Sequence, residues 1–197
     1  MKYVKLFEDY YEHEGFRGHY DMPSEEELMY MADQAEHDAY DTFLQNVLNL
    51  NVDSIYRNIE AHSEAGAYYS DFIEGSMREE GGFYTWYKNF GTPLHYLVSL
   101  ETDSEEKESK KYEMINLIGS CCVEKQDING NTPLHLVVMK DDLEMMEHLL
   151  ISDYLTVTPE DLAIKNKEGM TPLDLASPQM KKIINNELGQ DDDDFDY

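Results

Sequence analysis

The sequence predicts an all-α fold: a solenoid of helix-turn-helix units preceded by an α-helical N-terminal extension. The main observation is a motif that occurs three times, as Thr-Pro-Leu-His from Thr92, Thr-Pro-Leu-His from Thr132 and Thr-Pro-Leu-Asp from Thr171. These threonines are 40 and 39 residues apart, a spacing typical of stacked helical repeats. Apolar residues at helical spacing follow each motif, and glycine-containing turns precede two of them. Together these features predict a recurring unit of turn, helix, helix.

The composition is that of a folded but strongly acidic protein. The chain has 197 residues, of which 41% are hydrophobic, enough for one sizeable core. It carries 42 Asp and Glu against 15 Lys and Arg, which gives a formal net charge of -27. Nucleic acids and anionic membranes are bound through clustered Lys and Arg, so we exclude both as direct partners. A basic partner is favoured.

The lack of a recognisable targeting signal and the cysteine usage predict a cytoplasmic protein. No stretch approaches 18 consecutive apolar residues, and the N-terminus reaches Glu8 without an apolar signal-peptide core. The two cysteines are the adjacent Cys121 and Cys122, which cannot link distant segments and which fit a reducing compartment. We expect two buried thiols that close a helix after Gly119.

The first 40 residues are predicted to form an acidic, aromatic-rich arm followed by a capping helix. In residues 1–21 aromatic and acidic side chains interleave without a clear helical or strand pattern. Ser24 and Glu27 then form a capping box, which predicts a helix start. Two interpretations of the arm stay open: a strap packed on the helices, or an exposed segment that binds a partner.

Residues 41–90 are predicted to be helical and to cover the open front of the repeats. The segment from Phe43 to Ile59 has the apolar pattern of a helix pair but lacks the Thr-Pro-Leu-His start. We therefore interpret residues 41–64 as a degenerate repeat. The aromatic residues at 83–90 are expected to pack in the core, because aromatic side chains dominate buried contacts.

The repeats themselves occupy residues 91–188. In each, the threonine can cap the helix, and the proline fits the first helical position, where an N–H is not needed. An acidic insertion at 101–109 is expected between the helices of the first repeat, and an extra loop or short helical turn at 156–161 in the second. The third has Asp174 in place of histidine and ends quickly, as a capping repeat does. An acidic, disordered tail follows at 189–197.

The motif resembles that of ankyrin repeats, in which a turn glycine precedes Thr-Pro-Leu-His and a pair of antiparallel helices. The resemblance covers about residues 83–188 and is closest over 127–150, where nearly every family position is filled as expected. It implies an ankyrin-type solenoid that binds other proteins. It also implies that His95 and His135 are structural residues, each hydrogen-bonded near the start of its own helix.

No catalytic or metal site is predicted. The chain has no His-x-x-x-His, Cys-x-x-Cys or Asp-x-Asp-x-Asp-Gly arrangement, no Gly-Lys-Ser/Thr phosphate loop and no Gly-x-Ser-x-Gly elbow. The histidines outside the motifs stand alone in the sequence, and neither cysteine has an evident local activator. We therefore expect no enzyme activity, no metal and no cofactor.

Two functions stay open. The leading hypothesis is a protein-binding module that inhibits or redirects a target with a basic surface. Proteins of this kind include cytosolic scaffolds, immunity proteins that neutralise toxins, and effectors of viruses and intracellular bacteria, which act in the host cytoplasm. The alternative is a nucleic-acid mimic, whose carboxylates imitate phosphates and block a DNA- or RNA-binding protein. A mimic requires rows of carboxylates at phosphate-like spacing, whereas an adaptor requires one patch with an apolar centre.

The candidate binding residues come from the arm, the acidic insertion and the best-formed repeat. The insertion adds five carboxylates against one lysine where a short turn would suffice, so we expect it to serve binding rather than folding. The candidate partner-binding residues are Tyr10, Tyr11, Glu101, Asp103, Glu105, Glu106, Glu108, Asn129, Met139, Asp141 and Asp142.

Overall fold

The computed structural model describes residues 39–64 and 91–188, which contain helices joined by turns and no β-strand. The predicted all-α fold is therefore confirmed. The helices are, in chain order, α1 (residues 39–48), α2 (Val52–Glu64), α3 (Pro93–Ser99), α4 (Glu105–Ile118), α5 (Pro133–Lys140), α6 (Leu143–Ile151), α7 (Pro172–Leu175) and α8 (Pro178–Leu188). Short 3-10 turns lie at Gly119–Cys121 and Asp161–Ala163.

Each repeated motif starts a helix, as predicted. Thr92, Thr132 and Thr171 have extended backbone and immediately precede α3, α5 and α7, each with proline in its first turn. Each threonine closes a capping box with the residue three positions later. The threonine hydroxyl accepts from the N–H of that residue, whose own side chain accepts from the threonine N–H. These bonds satisfy donors that a helix start would otherwise leave unpaired.

The helices pack in two layers. The first helices of successive pairs form one layer, in which α3 packs against α5 and α5 against α7. The second helices form the other, in which α2 packs against α4 and α6 against α8. One continuous core lies between the layers, and every helix pair contributes to it. Among its most buried side chains are Phe43, Ile55, Leu94, Leu97, Met114, Ile115, Leu134, Met145, Met146 and Ile184.

The turn within the α1–α2 pair has the same geometry as the turn within the α5–α6 pair. Leu50 and Asp141, the two non-glycine residues with positive φ in the described parts of the chain, have φ of 51° and 54°. In both turns the N–H of this residue donates to the carbonyl three positions back, and the next N–H donates five positions back. This match supports the interpretation of residues 41–64 as a degenerate repeat, which stays a prediction.

The acidic insertion predicted between the helices at 101–109 extends only to Ser104, so its predicted end was wrong. Helix α4 begins at Glu105, and the hydroxyl of Ser104 caps it by accepting from the N–H of Lys107 at 3.4 Å. Residues 105–109 therefore belong to the helix, which has 14 residues against 9 in α6. Carboxylates suit this position because the N-terminal end of a helix carries partial positive charge.

The other departures from a regular repeat follow the prediction. The connection after α6 contains the 3-10 turn Asp161–Ala163, and the Asp161 carboxylate accepts from the N–H and the hydroxyl of Thr158 at 2.8 and 2.9 Å. Leu155 is buried in this connection and packs so closely on Gly119 that a Cβ there would lie 2.4 Å from it. The side chain of Cys122 is buried, as expected.

The predictions for the N-terminal arm and its capping helix, for the aromatic residues at 83–90 and for the acidic tail fall outside the described residues. The division of the chain into an arm, a helical region, repeats and a tail likewise stays a prediction.

Candidate functional site

Two tight turns lead into helices α5 and α7. In the first, Oδ1 of Asp127 accepts from the backbone N–H groups of Asn129 and Asn131 at 2.8 Å each, and Gly130 has φ of 77°. The turn at 166–170 repeats these bonds, because Oδ1 of its asparagine accepts from the N–H groups two and four positions later. We call these the Asp127 turn and the Asn166 turn. An Asp or Asn side chain can bond to backbone in this way, which makes both residues common in turns.

The two turns are hydrogen-bonded to each other. The N–H of Lys167 donates to the carbonyl of Asn129 at 3.0 Å, and Nδ2 of Asn166 donates to Oδ1 of Asn131 at 3.0 Å. Gln126 adds a bridge, because its Nε2 lies 2.6 Å from the carbonyl of Gly130 and 2.9 Å from the carbonyl of residue 165. The turns therefore form one continuous, hydrogen-bonded edge of the solenoid.

The two motif histidines join successive units. Nδ1 of His95 accepts from the N–H of Thr92 at 3.0 Å, while its Nε2 lies 2.8 Å from the carbonyl of Asn131 in the next unit. His135 repeats both contacts, with Thr132 at 3.1 Å and with the carbonyl of residue 170 at 3.1 Å. Since a carbonyl only accepts, Nε2 must carry the proton and Nδ1 must be the acceptor. Both histidines are structural, as the resemblance implies.

The third motif has aspartate where the first two have histidine, and the hydrogen bonds explain this difference. Asp174 accepts from the N–H of Thr171 at 2.8 Å and so completes the cap, as a histidine would. A carboxylate cannot donate to a carbonyl, but among the described residues no further unit follows to receive such a bond. The third unit therefore keeps the helix cap without the link.

These histidines predict how stability depends on pH. Burial lowers the pKa of His95 and His135 below the ordinary value of 6.5, although the bonds to the carbonyls of residues 131 and 170 oppose this shift. A depressed folded-state pKa contributes stability that is present above 6.5 and is lost as pH falls through the folded pKa.

We therefore expect a variant with glutamine at both histidine positions, His95→Gln/His135→Gln, to differ most from wild type at high pH. Glutamine does not titrate, so the difference in free energy of unfolding between the two proteins should narrow from about pH 7.5 to about pH 5.5. Urea unfolding of both proteins across this range measures it, and carboxylates that titrate in both proteins cancel. A constant difference would mean that neither histidine changes its pKa on folding.

The unit that best fits the motif exposes apolar side chains at both ends of α5. Ile128, in the Asp127 turn, is 51% exposed, and Met139, in the last turn of α5, is 62% exposed. After Met139 come Lys140, whose Nζ donates to the carbonyl of Ser99 at 2.7 Å, and Asp141, which is exposed. We call Ile128, Asn129, Met139, Lys140 and Asp141 the first-helix surface.

Two of the predicted carboxylates near α5 have a structural contact as well. Oδ1 of Asp142 caps α6 by accepting from the N–H of Met145 at 3.0 Å. Oδ1 of Asp141 accepts from the hydroxyl of Ser177 at 2.7 Å, which ties the second unit to the third. Asp141 stays exposed, while Asp142 is half-buried. Met139 and Asp141 are therefore both exposed at the C-terminal end of α5, whereas Asp142 has mainly a capping role.

The acidic residues at the start of α4 lie in the other helix layer, and lysines pair with three of them. Nζ to carboxylate distances are 2.9 Å for Lys107–Asp103, 2.7 Å for Lys110–Glu106 and 3.0 Å for Lys111–Glu108. These hydrogen bonds, with the charge of the lysines, lower the pKa of all three carboxyls. Among the described residues no lysine pairs with Glu101 or Glu105. Tyr10 and Tyr11 lie outside the described residues.

Sequence reasoning missed several exposed residues. The exposure of Ile128 could have been predicted from the sequence. An apolar residue between Asp127 and Asn129 lies in a tight turn at the surface, where it either packs on a neighbour or binds a partner. Two exposed tyrosines, Tyr56 and Tyr154, offered no such signal. Tyrosine is as common in cores as on surfaces, so only packing decides its exposure.

The buried polar side chains of the described residues hold the fold together. They are Thr92, His95, Lys111, Asn131, Thr132 and His135, and each has a hydrogen bond described above. In residues 39–64 and 91–188 no three His, Cys, Asp or Glu side chains are grouped so that they could hold a metal ion. Within the same residues, every helix is too short or too polar to cross a bilayer.

Comparison with known proteins identifies the same kind of repeat as the local geometry. The sequence profile of the ankyrin repeat matches residues 129–157, which include α5, α6 and the start of the following connection. No curated protein and no solved structure matches the chain significantly. The capping boxes and the histidine bonds extend the matched structure to the units on either side. The chain therefore contains an ankyrin repeat, which the family profile matches at residues 129–157.

Proposed function

We propose that this protein is a non-enzymatic adaptor or inhibitor that binds a basic surface of another protein through the first-helix surface. Ankyrin repeats are protein-interaction modules. One observation supports the first-helix surface as the binding site. Ile128 and Met139 are more than half exposed, while Leu134 and Val137 of the same unit are 1% and 0% exposed. An apolar centre with a polar rim is the usual organisation of protein interfaces.

The charge of the chain supports a basic partner. With a net charge of -27, the protein attracts cationic surfaces and repels anionic ones. On the first-helix surface the ammonium of Lys140 is held against the carbonyl of Ser99, while the carboxylate of Asp141 is exposed. Charge of this kind raises the association rate and selects the partner, while the apolar residues hold the complex together.

The acidic start of α4 and the N-terminal arm belong to the proposal as secondary contributors. Because lysines neutralise Asp103, Glu106 and Glu108, Glu101 and Glu105 are the residues of this segment that we expect to attract a partner most. Tyr10 and Tyr11 of the arm are further candidates. We place the protein in the cytoplasm, or in the host cytoplasm if it is an effector.

An affinity capture with paired variants tests this proposal. We expect Ile128→Ser/Met139→Ser to recover about tenfold less of the main captured protein than wild type, because apolar residues at an interface centre contribute most of its affinity. The matched control is Ile151→Ser, which changes a residue of similar exposure, 58%, at the end of a second helix. Quantitative mass spectrometry of the eluates gives the comparison.

The identity of the captured proteins decides between the two functions. Proteins with basic surfaces that are lost with Ile128→Ser/Met139→Ser and kept with Ile151→Ser would support the proposal. Equal recovery by all three proteins would contradict it. Nucleic-acid-binding proteins that are recovered equally by all three, and that DNA or RNA releases, would favour the nucleic-acid mimic instead.

A further inference from the structure

Two aromatic side chains in the layer formed by the second helices are exposed to solvent. Tyr56, on α2, is 44% exposed, and Tyr154, in the connection after α6, is 68% exposed. Tyrosine offers a large contact area at low entropic cost, and it is enriched where proteins meet. Both tyrosines belong to the layer opposite to the first-helix surface.

Both tyrosines are linked to helix α4. Helix α2, which carries Tyr56, packs against α4, and the carboxylate of Glu113 on α4 raises the pKa of Tyr56. Asn116, one turn further along the same face of α4, accepts from the hydroxyl of Ser152 at 2.9 Å. The oxygen of Ser152 in turn accepts from the N–H of Tyr154 at 3.2 Å. We call Tyr56, Glu113, Asn116 and Tyr154 the tyrosine strip.

The surroundings of Tyr56 favour its neutral phenol. Partial burial raises the pKa of Tyr56, and the carboxylate of Glu113 and then the phenol of Tyr154 raise it further.

Carboxylates surround the strip. On α2, Asp53 and Glu60 are three positions before and four positions after Tyr56, which places them on the same exposed face. Asp153 is exposed beside Tyr154, and Glu113 lies in the strip itself. Cations also lie nearby: Arg57, whose guanidinium donates to the hydroxyl of Ser54 at 3.1 Å, and Lys110, three positions before Glu113 on α4, whose ammonium pairs with Glu106 at 2.7 Å.

The same helix already shows how a basic side chain binds in such surroundings. Nζ of Lys111 lies 5.1 Å from the centre of the Tyr112 ring and 3.0 Å from the carboxylate of Glu108. The ring of Tyr112 also packs on His148, with 4.5 Å between the ring centres. A cation held between a tyrosine face and a carboxylate is a favourable arrangement. Tyr56 and Tyr154 present the same two groups, but they are open to solvent.

We propose that the tyrosine strip is a second docking surface, which binds an extended segment of a partner through its arginine or lysine side chains. The cations would lie on the faces of Tyr56 and Tyr154, and Glu113 and Asp153 would neutralise them. This surface lies in the other layer from the first-helix surface, so one partner could contact both layers or two partners could bind at once. The inference does not depend on the first-helix surface being a binding site.

A synthetic peptide tests this inference on the full chain. The probe is acetyl-Gly-Arg-Gly-Arg-Gly-amide, and its control has citrulline, a neutral analogue of the same shape, in place of arginine. Nuclear magnetic resonance follows the ring signals of Tyr56 and Tyr154, with half-buried Tyr96, whose hydroxyl donates to the carbonyl of Leu48, as internal reference. We expect saturable shifts at Tyr56 and Tyr154 with the arginine peptide alone.

The decisive variant removes the rings without changing the charge. Tyr56→Ser/Tyr154→Ser keeps the net charge at -27, so binding by charge alone would be unaltered. We expect the Kd of the arginine peptide to rise about tenfold, because two exposed cation–π contacts are lost. Ile128→Ser/Met139→Ser should leave the Kd unchanged.

Two outcomes would overturn the inference. One is an equal Kd for wild type and the tyrosine variant. The other is a Kd that rises with the first-helix variant instead, which would leave the proposed function standing. If the double tyrosine variant fails to fold, Tyr154→Ser alone, in a residue that is 68% exposed, should still raise the Kd about threefold.

Discussion

Gly130→Ala should lower the free energy of unfolding by about 3 kcal/mol, of which the left-handed backbone accounts for about 1 kcal/mol. The remainder comes from a collision between units. With φ of 77°, a Cβ at this position would lie 2.8 Å from the backbone nitrogen of Lys167 and 3.2 Å from the carbonyl carbon of Asn166. Because these are backbone atoms, the two turns must move apart, which weakens the bond from Lys167 to the carbonyl of Asn129.

The chain provides a matched control in Gly169, which has φ of 80° in the Asn166 turn. A Cβ at Gly169 would meet nothing within 4 Å, so Gly169→Ala should cost only the backbone strain, about 1 kcal/mol. Urea unfolding of both variants, with the slopes compared, measures the difference. Equal losses would show that the contact between the turns does not contribute to stability.

Leu134→Ala and Leu149→Ala should each lower the free energy of unfolding by about 2 to 5 kcal/mol. Both side chains are 1% exposed, on α5 and α6 of the unit that the family profile matches. Truncation removes their burial and leaves a cavity in the core that units on either side share. Because each unit is stable only when it packs on its neighbours, we expect the whole described solenoid to lose stability.

The control for this pair is Ile151→Ala, on the same helix as Leu149 but 58% exposed. Its cost should stay within about 0.5 kcal/mol, as for most surface substitutions. Thermal melting followed by circular dichroism, together with urea titration, separates the three variants. A midpoint for Leu134→Ala or Leu149→Ala that equals the midpoint of wild type would contradict the described core.

The helix starts could be predicted because their chemistry is local. A threonine followed by proline, with a histidine or aspartate three positions after the threonine, contains every group of the capping box within four consecutive residues. The glycines of the Asp127 and Asn166 turns were predicted for the same reason. The role of Gly130 in the contact between units was not, since its neighbour, Lys167, is 37 positions away in the sequence.

The acidic segment shows where a local pattern was given the wrong weight. Five carboxylates suggested an insertion between two helices, yet Ser104 followed by Glu105 and Glu106 is also an ordinary helix start. Pairs four positions apart, Asp103 with Lys107 and Glu106 with Lys110, then favour the helix. The repulsion among these carboxylates is smaller than their number suggests.

The sequence by itself determined the class of fold, the three helix starts, the structural role of the motif histidines and the strong net negative charge. Each of these follows from groups that are neighbours along the chain, or from charge, which needs no coordinates. Only the tertiary structure decided which apolar side chains remain in contact with water. Ile128, Met139, Tyr56 and Tyr154 are exposed because the helices pack in two layers and leave these positions uncovered. A sequence pattern cannot show this, because burial depends on elements that are distant in the chain and adjacent in space.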